Sequence, residues 1–294
     1  MEIDGAQLAA LAAVVDEGTF EAAARRLHVT PSAVSQRVKG LEQAMGQVLV
    51  RRSRPCRATD AGHALVRLAG QTALLQSEAL VAVRGVTGAA PRVSVAVNAD
   101  SLSTWFPAAI AELPIRARLD LRREDQDHSA ELLRDGSVMA AVTADPQAVQ
   151  GCRVRPLGAM RYLPVGSPSY VTQWFGGGLD PAALAVAPLL TFNRKDALQV
   201  RFLRQVSRRP LEPPVHYVPS SSAFVELVRR GLGWGMVPDV AAAPLLADGE
   251  LVVLAPGRHL DIPLYWQHWK LESAVLDALT TSVVAAAREV LHGP

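Results

Sequence analysis

One stretch, TFEAAARRLHVTPSAVSQRVKGLEQAM from Thr19 to Met45, restricts the possible folds more than any other part of the chain. It reads as a short helix, a tight connection and a longer helix. Thr30 suits an N-cap, and Pro31 suits the first helical position, where its missing N–H is no loss. From there Val34, Val38, Leu41 and Met45 fall on one face at helical spacing. The opposite face carries Ser32, Ser35, Gln36, Lys39 and Gln43: hydroxyls, amides and a cation, with no carboxylate. Such a face can lie against phosphates and base edges in a DNA major groove. The competing reading is an ordinary amphipathic helix with a solvated polar side.

The neighbours of this helix favour DNA. Phe20, Ala24 and Leu27 give the preceding helix its own short apolar stripe, as the first arm of a helix-turn-helix requires. Leu8, Leu11 and Val15 supply a third helix to close a small core. VLVRRSRPCRAT then reads as a short hairpin, a wing carrying Arg51, Arg52, Arg54 and Arg57. Between Phe20 and Thr59 eight Lys and Arg residues stand against only Glu21 and Glu42, in a chain whose whole net charge is +2. The basic charge is therefore confined to one module, as in a specific DNA binder and unlike a nonspecific coat protein. Thr30, Pro31, Ser32, Ser35, Gln36 and Lys39, with Arg51, Arg52 and Arg54, are the expected DNA-binding residues. Ser35 and Gln36 are the expected base readers, and double-stranded operator DNA is the expected partner.

The run AAARRLHVTPSAVSQRVKGLEQAMGQVLVRRSRPCRATDAG resembles the N-terminal domain of LysR-type transcriptional regulators. The likeness lies in the Ala pair of the second helix, the Ser32-Ala33-Val34-Ser35 opening and the Leu41-Glu42-x-x-x-Gly46 end. It includes Thr59-x-x-Gly62 after the wing. Most relatives have Ser-Arg-Gln where this chain has Ser35-Gln36-Arg37, a departure that bears on which operator is read.

After Thr59 the segment DAGHALVRLAGQTALLQSEALVAVRG places Leu65, Leu68, Thr72, Leu75, Ala79 and Ala82 three or four residues apart, a coiled-coil-like seam. It reads as a dimerisation helix, and VTGAAP then breaks the pattern with Gly85, Gly88 and Pro91. Beyond it strands and helices alternate: RVSVAV, then a helix over SLSTWFPAAIAEL, then IRARLDLRRE, HSAELLRDG and VMAAV. A second series starts near Tyr162. Its helices are expected around Ala182–Ala187, Ala197–Val206, Ser222–Arg230 and Val240–Leu246. Its strands are PLLTF, VHYV, GWGMV, ELVVL and LDIPLYWQHW, and a closing amphipathic helix follows. Alternation of this kind implies parallel sheets covered by helices, with a ligand at the carboxyl ends of the strands. The LysR resemblance implies the same: an N-terminal all-α winged helix-turn-helix with a long linker helix, then an α/β effector domain of two Rossmann-like lobes, similar to periplasmic binding proteins. The expected boundaries are 1–58 for the DNA-binding domain, 59–91 for the linker helix and hinge, and 92–294 for the effector domain. Its first lobe takes 92–161 and 267–294 and its second 162–266, with crossings near Arg161–Leu163 and Leu264–Trp266.

Three strand ends carry carboxylates. Asn98-Ala99-Asp100-Ser101 follows the first strand, Glu124, Asp125 and Asp127 the second, and Thr143-Ala144-Asp145 the third. Any one of them could be a helix cap. Together in one cleft they would raise one another's pKa unless a cation joined them. A ligand with an ammonium or guanidinium group would relieve that cost, its own carboxylate resting on N–H groups at Ser101 or Ser221-Ser222. VNADSLSTWF, EDQDHSAELLRDGSVMAAVTADPQAVQGCRVRPLGAMRY, FNRKD and GLGWGMVPD resemble the branch of the family that senses lysine and arginine and controls basic amino-acid export (LysG/ArgP-like). That resemblance assigns the ligand's cationic groups to Asp100, Asp125, Asp127 and Asp145. It adds Asn193 and Ser222 from the second lobe, while Asn98 and Ser101 join the expected site from their place at the first strand end.

Catalysis has no foothold in the sequence. The seven histidines form no metal-ligand spacing, no G-x-S-x-G serine is present, and Gly231–Gly235 follows a helix, the reverse of a nucleotide-binding order. His128 beside the acidic cluster is the one base that could be imagined. Cys56 and Cys152 make no disulfide framework. MEIDGAQLAAL lacks the basic n-region of a signal peptide, and no apolar stretch is long enough to span a bilayer. The expectation is a cytoplasmic regulator, without cofactor, metal or membrane partner, that binds DNA and lysine or arginine. It would assemble as a homodimer or homotetramer, with RNA polymerase a further candidate partner. The alternatives are a regulator of the same type with another small-molecule effector, or an architectural DNA binder with none.

Overall fold

A computed structural model describes residues 3–84, 90–123 and 129–293. The elements, in chain order, begin with α1 (Gly5–Glu17), α2 (Phe20–Leu27), α3 (Pro31–Met45), β1 (Val50–Arg51), β2 (Arg57–Ala58) and α4 (Asp60–Arg84). There follow β3 (Arg92–Val97), α5 (Ala99–Ser103), α6 (Phe106–Ala111), β4 (Arg118–Arg123), α7 (Ser129–Arg134), β5 (Ala140–Thr143) and β6 (Cys152–Gly166). The remainder is α8 (Pro168–Phe175), α9 (Pro181–Val186), β7 (Leu189–Thr191), α10 (Leu198–Val206), β8 (Val215–Tyr217), α11 (Ser221–Arg229), β9 (Gly235–Pro238), α12 (Asp239–Ala247), β10 (Val252–Val253), β11 (Leu260–Trp269) and α13 (Ala274–Val290).

The chain forms two compact units. One holds Met1–Val97, Leu113–Arg155 and Trp266–Thr281; the other holds Asn98–Glu112, Pro156–Tyr265 and Ser282–Pro294. In the first, α1, α2 and α3 enclose Leu8, Leu11, Val14, Ala23, Ala24, Val34, Val38 and Leu41, and the wing adds Leu49 and Val50. Each fully buried Leu or Val there contributes about 1.5–3 kcal/mol of transfer free energy. Val15, assigned to the core from its spacing, is only partly buried, and Val14 takes the inner position. β1 and β2 pair antiparallel as the wing. β3 lies between β4 and β5, parallel to both. That central position accounts for the burial of Val93, Val95, Ala96 and Val97, all at 0% exposure, with Ser94 also buried among them.

α4, expected as a dimerisation helix, packs part of its length on its own chain. Val66 and Ala69 join the helix-turn-helix core, Leu65 and Leu68 pack against it, and Leu74 is buried. Leu75, Leu80 and Val83 remain exposed, Val83 at 83%. The first half of the seam is thus covered within the chain and the second half is open. Gly70, a helix weakener by composition, has its Cα face 2.8 Å (measured from an added Cβ) from the Trp269 ring, so any side chain there would collide. Gly136, at φ +81°, sits equally close to the Arg67 backbone.

In the second unit β6 pairs antiparallel with β9 and β10, and β7 runs parallel to β8. Leu190, Phe224, Val228 and Val237 form its apolar centre. Two elements depart from expectation. SLSTWFPAAIAEL is not one helix: it breaks at Thr104–Trp105 into α5 and α6, because Pro107 tolerates only a first-turn position. The expected crossing at Arg161–Leu163 lies within β6, one strand of fifteen residues. α8 was not anticipated, although Ser167 caps it and Pro168 opens it in the same way as Thr30 and Pro31 open α3. Among the described residues no helix is long and apolar enough to cross a membrane.

Candidate DNA interface and effector site

The Thr30 hydroxyl accepts a hydrogen bond from Ala33 N at 3.2 Å, Pro31 occupies the first turn of α3, and Gly46 closes the helix at φ 66°. With Val34, Val38 and Leu41 buried, helical geometry turns Ser32, Gln36, Lys39 and Gln43 outward as exposed residues and leaves Ser35 half-buried. Arg51, Arg52 and Arg54 are exposed on the wing. Counting charges along the sequence misjudges two of them. Glu42 turns inward, accepting from Leu49 N at 2.9 Å, and so ties α3 to the wing. Arg26 pairs with Asp16 at 2.9 Å and Glu17 at 3.3 Å, which removes it from the free cations. The Arg52 guanidinium lies 5.1 Å over the Phe20 ring, which holds the wing arginine against α2.

In the second unit the Asn98 side chain caps α5, accepting from Ser101 N at 2.7 Å. That cap directs Asp100 into a polar nest. Tyr162 on β6 donates its hydroxyl to one Asp100 carboxylate oxygen at 2.8 Å, and Ser221 at the start of α11 donates to the other at 2.8 Å. Asp100 keeps some accessible surface as a residue, but protein surrounds its carboxylate. Burial is the largest influence and raises its pKa, the two hydroxyls lower it, and the charge of Asp196 raises it again. Burial, with the adjoining Asp100 charge, likewise pushes the Tyr162 phenol well above its ordinary range. Ser101 is fully buried, and its hydroxyl has no protein partner among the described residues.

The other expected effector residues are placed as follows. The Asn193 side chain accepts from the amides of Lys195 and Asp196 at 2.8 and 3.1 Å, forming the turn after β7. Asp196 accepts from Thr191 Oγ1, Phe192 N and Leu198 N at 2.9–3.0 Å. Ser222 is exposed, 3.3 Å from the Ser220 hydroxyl, whereas its neighbour Ser221 is the one that reaches Asp100. Asp145 lies in the first unit, where its carboxylate accepts from Gln147 N at 2.8 Å in a tight turn. Gln267 braces that turn through the carbonyls of Asp145 and Gln147. Asp125 and Asp127, with Glu124 and His128, lie outside the described residues. Tyr162 and Asp196 were not singled out from sequence. They stand far along the chain from Asp100, and neither carries a local pattern that marks it.

A helix-turn-helix followed by an α/β body with a buried carboxylate defines a class, that of one-component regulators joining a DNA reader to a ligand sensor. Residues 6–63 match the bacterial regulatory helix-turn-helix protein of the lysR family, and residues 87–288 match the LysR substrate binding domain. The chain belongs to the LysR family. It is 54% identical over 293 residues to the HTH-type transcriptional regulator LysG of Mycobacterium tuberculosis, covering 99% of this chain and 96% of that one. It is 46% identical over 290 residues to the lysine export transcriptional regulatory protein LysG of Corynebacterium glutamicum, covering 97% and 98%. Among solved structures, ArgP from Mycobacterium tuberculosis superposes with a TM-score of 0.89 at 54% identity over the whole of both chains. Full-length LysG from Corynebacterium glutamicum with bound effector arginine superposes with a TM-score of 0.79 at 44% identity, covering 98% and 99%.

Proposed function

We propose that this protein is a transcriptional regulator that binds operator DNA through α3 and the wing, senses lysine or arginine, and controls the gene of a basic amino-acid exporter. The observation that carries the effector reading is Asp100, an enclosed carboxylate whose neighbours are hydroxyls and a second carboxylate, Asp196. An anion so placed favours a ligand that brings positive charge. The similarity to regulators named for lysine export, and to one solved with arginine bound, supports the same class of effector. Asn98, Ser101, Asp125, Asp127, Asp145, Asn193 and Ser222 complete the proposed effector set. Thr30, Pro31, Ser32, Ser35, Gln36, Lys39, Arg51, Arg52 and Arg54 form the proposed DNA set.

The division into 1–58, 59–91 and 92–294 is kept as part of this reading, as are a cytoplasmic site of action and contact with RNA polymerase. The exposed residues Leu75, Leu80 and Val83 of α4 support pairing with a second copy, as a dimer or a tetramer. Sedimentation of the Leu75→Glu, Leu80→Glu double variant tests this; an unchanged assembly would refute it. The effector reading is tested by calorimetric titration of the full chain with lysine, arginine and methionine. Lysine or arginine should bind far more tightly than methionine, which has similar length and no side-chain charge. Equal binding of methionine would point to a different effector.

A further inference from the structure

Asp100 receives one hydroxyl on each carboxylate oxygen, from residues 62 and 121 positions away in the chain. We propose that Tyr162 and Ser221 are positioning residues for the effector cation: their hydroxyls hold the Asp100 carboxylate ionised and aimed, and so set the pH range in which a basic amino acid binds. This rests on the reading above that Asp100 pairs with the ligand's cationic group.

The chemistry follows from the donor inventory. A hydroxyl has one proton to give, and each of these two gives it to Asp100. Both oxygens accept strongly only while the carboxyl is an anion. Once protonated, the carboxyl is a donor and only a weak acceptor at one oxygen, so the hydroxyl bond to that oxygen weakens. The arrangement therefore favours the charged form against the loss of hydration that burial imposes. Asp196 is the charged neighbour that opposes ionisation, and Tyr162 is the other titratable group facing the carboxylate.

Each hydroxyl is anchored independently of any ligand. Tyr162 is 3% exposed and sits opposite Pro238 in the β6–β9 pairing. Ser221 is the first residue of α11, a helix capped by Ser220. A carboxylate oxygen accepts up to two hydrogen bonds, so each Asp100 oxygen retains an acceptor position beyond its hydroxyl. In hydrogen-bonding capacity alone, a ligand N–H needs neither hydroxyl to leave.

The test is lysine binding to the full chain, measured by calorimetry as a function of pH. It compares the wild type with Tyr162→Phe, Ser221→Ala, Ser221→Thr and Asp100→Asn. Tyr162→Phe and Ser221→Ala should each move the acid midpoint of binding upward by about one pH unit, a tenfold change in the ionisation equilibrium. Ser221→Thr keeps the hydroxyl and should restore the wild-type midpoint. If both hydroxyl deletions leave the midpoint where it was while Asp100→Asn loses lysine affinity, the hydroxyls only join α5 to α11. The positioning role is then wrong and the effector site stands. If Asp100→Asn binds lysine as tightly as the wild type, the effector site itself is misplaced. A shift in one deletion alone assigns the role to that hydroxyl and removes it from the other.

Discussion

The outer face of α3 and the nest around Asp100 solve opposite problems with opposite means. On α3 the outward polar groups Ser32, Gln36, Lys39 and Gln43 come from one helix, share one periodicity and stand in water. Charges so exposed are screened and individually weak, each worth about 0–1 kcal/mol, so affinity for DNA must be spread over many contacts. At Asp100 three segments distant in sequence meet on a single part-buried carboxylate. There one charge can decide the outcome, because salt screens a partly buried pair much less than an exposed one. Specificity by distribution and specificity by concentration thus coexist in one chain.

Substitutions can test how far this contrast holds. The largest effect is expected at the concentrated site: Asp100→Asn should cost about 2–5 kcal/mol of lysine binding and nearly nothing for methionine, read by calorimetry. On the distributed face, Gln36→Ala should cost about 1–3 kcal/mol on the specific operator and little on random DNA. Arg52→Ala should weaken both DNAs and flatten the salt dependence. Equal losses on both DNAs for Gln36→Ala would mean that α3 is not the reader. The pH response separates the regions again. Because the Asp100 pKa is raised, lysine affinity should be full above that value. It should fall up to tenfold per pH unit as the pH drops through it, a window higher than an ordinary carboxylate would give. Operator binding without ligand should be flat across the same window. Thr30→Ala removes only the α3 cap and should lower thermal stability by about 1 kcal/mol, leaving the lysine titration unchanged. Asp145→Asn keeps the turn, since an asparagine oxygen can still accept from Gln147 N, so any lysine affinity it loses by calorimetry measures the direct pairing of Asp145 with the ligand.

The sequence was informative where structure is local. Thr30-Pro31 and the Val34, Val38, Leu41 spacing delivered α3 because a cap and a helical period need no distant partner. The run RVSVAV was readable as a buried strand for the same reason. Asp100 was legible as a strand-end carboxylate, but Tyr162 was not, since its role depends on where β6 passes and nothing near it in sequence says so. The break between α5 and α6 was written in Pro107, and the α8 start in Ser167-Pro168; both signals were present but outweighed by apolar periodicity in the first case and overlooked in the second. Glu42 and Arg26 show the limit of charge counting, for each is neutralised or tied by a neighbour that only folding supplies.

The close approach of Gly70 to Trp269 and of Gly136 to Arg67 has a practical consequence for protein engineering. Sequence suggests that DNA reader and sensor could be exchanged between relatives by cutting in the linker. These two notches make α4 a keyed part, cut to fit the body that follows it. A chimaera joined after Arg84 keeps Gly70 and Arg67 but inherits whatever the donor has opposite them. It should fold only when the donor supplies a glycine at the Gly136 position and a ring at the Trp269 position that fits the Gly70 groove. Interchangeability in this architecture is therefore a property of matched pairs, and the place to graft is chosen by the lock rather than by the loop.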